Sequence, residues 1–184
     1  MKEAQIEQLI AGIKSQEPEQ RTVAWRSAGS VGAPAIQPLA SLAAERNHEV
    51  GRAANRAIWQ IVRSAGTPGQ EEGKSEVIGA LKALLTGETP VSLQRDIIWM
   101  LSEIACADCV ADDLSALLQS PELREDARCA LERIPGQSSL NALREALQTV
   151  PEDFKMNIVQ SLRAKGEEVP GYPCRKLALA ERAG

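Results

Sequence analysis

The stretch HEVGRAANRAIWQIVRSA, residues 48–65, has two opposite faces when it is read as an α-helix. Small and apolar residues recur at steps of four, three and four, which puts them on one side of the helix: Val50, Ala54, Ala57 and Ile61. The same steps, offset by two residues, put three guanidinium groups and one indole on the other side: Arg52, Arg56, Trp59 and Arg63. The stretch therefore predicts an amphipathic helix with a cationic and aromatic outer face.

Weaker copies of this helix recur along the chain. Their aligned apolar positions are, from the first copy to the fifth, Gln20, Ala24, Ala28 and Val31; Val50, Ala54, Ile58 and Ile61; Leu93, Ile97, Leu101 and Ile104; Leu123, Ala127, Leu131 and Ile134; and Phe154, Ile158, Leu162 and Lys165. The third positions of successive copies are 30, 43, 30 and 31 residues apart. The long interval contains the polar, Gly-rich stretch 66–73, which predicts an inserted loop.

Each copy follows another helical pattern, so the chain reads as a series of helical hairpins. The pattern predicts further helices at 2–15, 34–46, 74–85, 108–119 and 137–149. A single hairpin cannot bury its own apolar stripe, and neighbouring hairpins must therefore stack on it. We expect an all-α solenoid of about five hairpins, formed by residues 1–166 as a single domain, and an irregular C-terminal tail at 167–184. Polar residues at apolar positions of the first and last copies, Gln20 and Lys165, fit terminal repeats.

The bulk composition agrees with helices and narrows the classes of partner. Aromatic residues are 3% of the 184 residues, which suits close helix packing better than a β-sandwich core. The net charge of −4 makes a nucleic-acid partner unfavourable, because phosphate binding needs a dominant basic surface. The N-terminal stretch lacks the apolar run of a signal peptide, and no stretch approaches a membrane span. We expect a soluble, cytoplasmic protein without a membrane partner.

Four cysteines and a single histidine limit metal and redox chemistry. In a cytoplasmic chain the cysteines are expected to be reduced thiols, and the CxxC pair Cys106 and Cys109 to be small buried hydrophobes. One CxxC without a second pair is a weak zinc signal. His48 cannot form a histidine-rich metal site or a convincing Ser-His-Asp triad alone. We expect no metal and no other cofactor.

The repeated second helices, EVGRAANRAIWQI at 49–61 and ELREDARCALERIP at 122–135, resemble those of the HEAT-repeat superfamily. They are most similar to the short bacterial HEAT-like repeats that also occur in phycobilin lyase subunits. The resemblance covers about residues 2–166 and implies a right-handed superhelix with first helices on the convex side and second helices on the concave side. That family includes scaffolds, chromophore lyases, hydroxylases and DNA glycosylases, so the resemblance implies the fold and leaves the activity open. The iron-binding hydroxylases need several His-Glu pairs, whereas this chain has only His48-Glu49.

The exposed stripe gives the strongest indication of function. Its positions in the neighbouring copies extend the candidate partner-binding set to Arg26, Arg52, Arg56, Trp59, Arg63, Arg95 and Trp99. Guanidinium groups bind carboxylates in a bidentate manner, and indoles supply apolar contact area. We therefore predict a non-enzymatic interaction module that binds an acidic peptide, a protein segment or an anionic ligand. The alternative interpretation is that Trp59 and Trp99 pack between repeats while the arginines are solvated or paired with acids such as Glu49 and Glu103.

In the fourth copy the stripe becomes acidic, with Glu125, Cys129 and Glu132 at the matching positions. Two unlike halves would orient a bound partner, although a surface of mixed charge explains the pattern equally. A second class of function is an enzyme, either a phycobilin lyase-like protein or a DNA-repair glycosylase. Trp99, Arg95 and Asp96 together bear a weak likeness to the aromatic, basic and acidic residues of such glycosylases.

Overall fold

The structure is a computed structural model that describes residues 2–86 and 88–172, and ten α-helices form in this part of the chain. The helices are α1 (Lys2–Lys14), α2 (Pro18–Ser27), α3 (Ile36–Ala43), α4 (His48–Ala65), α5 (Glu71–Leu85), α6 (Val91–Ile104), α7 (Ala107–Leu117), α8 (Arg124–Arg133), α9 (Gln137–Thr149) and α10 (Glu152–Ala164). Two short 3-10 turns, Ala28–Ser30 and Ala33–Ala35, lie between α2 and α3. The described residues contain no β-strand, and the all-α prediction is confirmed.

The helices pair in sequence order as five antiparallel hairpins. In each hairpin the first helix contacts the second, from α1 with α2 to α9 with α10. The second helices, α2, α4, α6, α8 and α10, also contact one another in order and form a continuous layer. The predicted solenoid of five hairpins is confirmed, whereas its right-handed sense and the concave position of the second helices stay predictions. Across the residues described, no helix has both the length and the apolar content needed to cross a bilayer.

Burial follows the repeat that the sequence predicts. In the three central copies all aligned positions are buried, from Val50 in α4 to Ile134 at the end of α8. Alanines at these positions, such as Ala54 and Ala127, are fully buried and allow neighbouring helices to approach closely. The apolar stripes of the second helices therefore form one continuous core along the stack.

Local signals fix several helix ends. Asn47 precedes α4, and its side-chain oxygen accepts hydrogen bonds from the backbone N–H groups of Glu49 and Val50 at 3.2 and 3.3 Å. The end of α10 is a Schellman turn around Gly166, whose φ is 88°. In that turn the N–H of Glu167 donates to the carbonyl of Leu162 at 3.0 Å. Asn47 therefore marks the start of α4 and Gly166 the end of α10, and both residue types are recognisable signals in the sequence.

The insertion and the last repeat differ from the simple pattern. α5 begins at Glu71, three residues before the predicted start at Lys74, because two acids in its first turn favour the helix dipole. Lys165 stands where an aliphatic residue is expected, and its ammonium donates to the carbonyls of Glu132 and Ile134 at 3.1 and 2.8 Å. Burial lowers the pKa of Lys165. Lys165 therefore donates to carbonyl groups at the C-terminal end of α8 that have no partner within that helix.

The part of the tail that is described contains no helix. Residues 167–172 form turns and irregular backbone, and Val169 and Tyr172 pack against the core. The remaining residues of the predicted tail, 173–184, lie outside the described residues. The assignment of 1–166 as a single domain stays a prediction.

Candidate anion-binding face

One indole joins the first two repeats of the second-helix layer. The guanidinium carbons of Arg26 and Arg56 lie 5.4 and 5.9 Å from the ring centroid of Trp25, at the junction of α2 with α4. Trp25 is half-buried, whereas both arginines are exposed. Sequence reasoning missed Trp25 because it falls one residue before the aligned stripe position at Arg26. The signal was that all three tryptophans of the chain lie in second helices.

A second indole holds the third arginine of this group. The Arg63 guanidinium lies 5.6 Å from the ring centroid of Trp59, one turn along α4. Trp59 is half-buried against the core, and Arg63 is exposed. Because Arg56, Trp59 and Arg63 are three and four residues apart, they lie on one side of α4. At these distances the guanidinium groups are attracted to the indole rings, and the cation–π interaction leaves their N–H donors unused.

These three arginines have no acidic partner in the described part of the chain. Arg26, Arg56 and Arg63 form neither an ion pair nor a side-chain hydrogen bond with any residue described. Their charge is therefore uncompensated locally. We call Trp25, Arg26, Arg56, Trp59 and Arg63 the open arginine face.

Arg52 lies beside this face but is paired. Its guanidinium is 3.8 Å from the carboxylate of Glu49, which also lies 3.6 Å from Arg21. Both Arg52 and Glu49 are largely exposed, so the pair is weak and screened by salt. The predicted pairing with Glu49 is thus present at Arg52 and absent from Arg56.

Arg95 and Trp99 belong to a different cluster. Arg95 lies 3.4 Å from the carboxylate of Asp126 and donates twice to the Glu122 carbonyl. The indole N–H of Trp99 donates to the same Asp126 at 3.2 Å. The ring of Trp99 is covered by Arg133, which sequence reasoning missed and which pairs with Glu103. The structure therefore brings Arg26, Arg56, Trp59 and Arg63 together and leaves Arg95 and Trp99 in a charge-compensated neighbouring cluster.

A surface cleft of about 460 Å³ opens beside Trp59 and Arg63. The buried side chains Val62 and Ile104 line it, together with Gly66 and Glu103. Glu103 already binds Arg133, so it does not pair with Arg63. The cleft therefore combines the apolar residues Val62 and Ile104 with the unpaired guanidinium of Arg63. Another cleft, of about 640 Å³ between α1 and α2, has Glu19 as its charged lining residue and no arginine. Anionic groups are therefore favoured beside Trp59.

Asp96, the acid that was compared with a glycosylase residue, is bound by the preceding repeat. The side-chain amide of Asn55 donates to its carboxylate at 2.6 Å. The amide oxygen of Asn55 is itself buried without a hydrogen-bond partner among the described residues. Asp96 thus links α4 to α6 at the junction of the second and third repeats.

The acidic half of the second-helix layer contains an arginine in its centre. Arg128 donates to both carboxylate oxygens of Glu125 at 2.6 and 3.0 Å and to Glu132 at 2.7 Å. It also donates to the hydroxyl of Ser161 in α10 at 2.5 Å and to the sulfur of Cys129 at 2.9 Å. We call these five residues the closed arginine cluster. The single charge of Arg128 therefore offsets one of the two carboxylate charges of this predicted acidic surface.

Titration in the closed arginine cluster follows these contacts. The hydrogen bond from Arg128 lowers the pKa of Glu125 below its usual 4.5, although partial burial opposes the shift. The same hydrogen bond raises the pKa of Arg128. Burial raises the pKa of the Cys129 thiol, against the opposing charge of Arg128. The cluster is a saturated network and offers no free donor to a ligand.

The cysteine expectations need correction. Cys106 and Cys109 form a disulfide rather than two reduced thiols, and both residues are exposed rather than buried. Their Cα atoms are 5.3 Å apart because the first turn of α7 begins between them, and this separation suits a disulfide. Cys129 is a free thiol. Within residues 2–86 and 88–172, no group of three or more His, Cys, Asp or Glu side chains is arranged to hold a metal ion.

Comparison with known proteins assigns the chain to no family. No protein-family model matches the chain, and no curated protein matches it. Two engineered proteins with crystal structures are each 21% identical to it, with TM-scores of 0.43 and 0.42, over 85% and 86% of this chain and 77% and 46% of theirs. A designed armadillo repeat protein is 18% identical over 85% of this chain and 98% of its own, with a TM-score of 0.33. At these scores the likeness carries no argument about function.

Proposed function

We propose that this chain is a HEAT-like, non-enzymatic interaction module of the cytoplasm that binds an acidic protein segment on the open arginine face. One observation carries the proposal. Arg26, Arg56 and Arg63 are held over the indoles of Trp25 and Trp59 without an acidic partner in the described residues. Elsewhere on the same layer, arginines such as Arg95 and Arg128 are paired with acids.

Stacking on indoles prepares these arginines for carboxylates. A guanidinium that lies on a ring loses part of its rotational freedom before a ligand arrives, so less entropy is lost on binding. Its in-plane N–H groups remain able to donate two parallel hydrogen bonds to one carboxylate. The three arginines lie along α2 and one side of α4, which suits several carboxylates on one segment.

The cleft beside Trp59 adds an apolar requirement. Val62 and Ile104, which line the cleft, can contact an aliphatic side chain of the ligand. Arg63, which also lines it, binds a neighbouring carboxylate. The best-matched ligand is therefore an acidic segment with an apolar residue among its carboxylates. A long polyanion fits less well, because the net charge of the chain is −4 and the adjoining repeats are rich in acids.

The test is binding of a fluorescein-labelled peptide that has glutamates on both sides of one leucine, measured by fluorescence anisotropy at low and physiological salt. The double variant R56A/R63A is expected to weaken binding by at least about tenfold, equal to about 1.4 kcal/mol. Binding to the unmodified chain is expected to weaken as salt rises. A peptide with glutamines in place of the glutamates measures the contribution of charge.

The matched control is the double variant R95A/R124A, which removes two arginines of the same layer that already have acidic partners. It should change peptide affinity by less than about twofold, because its guanidinium groups are not available. Circular dichroism confirms that each variant remains helical. Equal losses in the two double variants, or no loss in R56A/R63A, would contradict the proposal.

A further inference from the structure

The CxxC pair lies at an exposed turn that the open arginine face does not use. Cys106 is the residue immediately before α7, and Cys109 is the third residue of that helix. Their disulfide is accessible, because both residues are exposed. External thiols can therefore reach this bond without any opening of the fold.

The disulfide adds little to what already holds α7 in place. The backbone N–H of Cys109 donates to the Cys106 carbonyl at 3.1 Å and closes the same turn. The opposite side of the helix is anchored in the core by Val110, Ala111 and Leu114. A cross-link between residues three apart also restricts the unfolded chain less than one that closes a long loop. The repeat is therefore built to remain folded when the bond is broken.

The surroundings favour a thiolate at Cys106 once the bond is open. Cys106 occupies the N-cap position of α7, where no side chain accepts from the first-turn N–H groups. Those N–H groups and the helix dipole stabilise a negative sulfur at that position. Lys82, whose ammonium donates to the Cys109 carbonyl at 2.9 Å, adds little net charge here because Asp113 also binds it at 2.7 Å. Asp108 between the cysteines opposes the effect of the helix dipole, although Ser138 donates a hydrogen bond to its carboxylate.

We propose that Cys106 and Cys109 form a reversible two-electron dithiol–disulfide site that exchanges with disulfides of other molecules. In the reduced pair, the Cys106 thiolate attacks one sulfur of a substrate disulfide, forms a mixed disulfide and expels the other half as a thiolate. Cys109 loses its proton, attacks the Cys106 sulfur and expels the second half. The substrate gains two electrons and two protons as two thiols, and the pair returns to its disulfide. A dithiol reductant restores the reduced pair by the same exchange in reverse.

The first experiment measures the exchange itself on the full chain. The chain is equilibrated with reduced and oxidised glutathione at set ratios, quenched with acid and analysed by differential alkylation with peptide mass mapping. The oxidised fraction of the pair is expected to follow one two-electron transition. The helical circular dichroism signal is expected to be unchanged across that transition. Resistance of the pair to dithiothreitol in native buffer, or loss of the helical signal on reduction, would overturn the proposal.

The second experiment separates the roles of the two sulfurs with C109S and C106S. C109S is expected to stop at a mixed disulfide between glutathione and Cys106, because the resolving thiol is missing. Cys106 in C109S is expected to react with iodoacetamide at least about fivefold faster than Cys109 in C106S. Similar rates for the two sulfurs, or no mixed disulfide in C109S, would overturn the assignment. These readouts are independent of peptide binding, so they do not depend on the open arginine face.

Discussion

The open arginine face and the closed arginine cluster use the same residue type on the same helix layer for opposite purposes. Arg56 in α4 is exposed, lies 5.9 Å from the Trp25 ring centroid and has no acidic partner among the described residues. Arg128 in α8 has a side chain that is 13% exposed and is bound by two carboxylates, a hydroxyl and a sulfur. A position in the second-helix layer is therefore not enough to make an arginine available for binding. The neighbouring repeat decides whether the charge is available.

The two arrangements should contribute differently to stability and binding. An arginine that is already paired and partly buried stabilises the junction of its repeats, since its removal leaves its carboxylates without a compensating charge. An exposed arginine over an indole contributes little to folding and keeps its donors for a ligand. We therefore expect the closed arginine cluster to contribute to folding stability and the open arginine face to ligand binding.

The largest expected effect is on the stability of the closed arginine cluster. R128M keeps the side-chain volume but leaves Glu125, Glu132 and Ser161 without their shared donor. The expected loss is about 2 kcal/mol of unfolding free energy, below the value for fully buried pairs because Glu125 is half exposed. The measurement is urea unfolding followed by circular dichroism. The matched substitution R56M should cost less than about 0.5 kcal/mol. If the two variants lose the same amount, the distinction between the two regions is wrong.

Acidification should weaken the same cluster. Because the folded-state pKa of Glu125 lies below its usual 4.5, its contribution to stability is present above that value. The contribution is lost as the pH falls through the folded-state pKa. The midpoint of thermal unfolding should therefore be higher for the unmodified chain than for E125Q near pH 6, and the gap should narrow toward pH 3. A gap that is independent of pH would show that the Glu125 charge is not the cause.

The thiol of Cys129 reports whether the cluster stays closed. Burial raises its pKa, so the reactive thiolate is scarcer at neutral pH than in an unfolded chain. Alkylation of Cys129 by iodoacetamide, followed by peptide mass mapping, should be at least about threefold slower in native buffer than in urea. Equal rates would mean that the cluster opens freely in the folded protein.

The smallest expected effect is at the edge of the open arginine face. E49Q releases Arg52 from a weak exposed pair, while Arg21 keeps the carbonyls of Ser15 and Gln16. The unfolding free energy should change by less than about 0.5 kcal/mol. Affinity for the acidic peptide should rise by up to about twofold, because one further guanidinium becomes available. A fall in affinity would exclude Arg52 from the vicinity of the bound peptide.

The sequence predicted the fold well because burial repeats along the chain. Ala54, Ile97 and Ala127 recur at equivalent positions and are all buried, so a single pattern identifies the helices and their stacking. Helix starts were less certain where acids extend a first turn, as at Glu71. The local pattern cannot separate a helix start from a polar loop when both are rich in acids and glycine.

The partners of the arginines were harder to predict, because they lie in the next repeat. Arg133 pairs with Glu103, 30 residues earlier, and the carbonyl that Arg95 binds belongs to Glu122, 27 residues later. Analysis of each helix alone cannot find such pairs. A comparison of residues one repeat apart would have detected them, and it would have separated Arg95 from Arg56. The arrangement of side chains across repeats, which sets the site, is thus weakly encoded in any single helix.

Arg26 and Arg56 share the ring of Trp25, and this arrangement affects how the protein responds to a ligand. Two like charges, on Arg26 and Arg56, lie 5.4 and 5.9 Å from one centroid, so they repel each other at low ionic strength. An arriving anion cancels that repulsion as well as forming its own contacts. Ligand binding should therefore stabilise the junction of α2 with α4 and slow amide hydrogen exchange there. The exchange rates of these backbone amides would then report whether a ligand is bound.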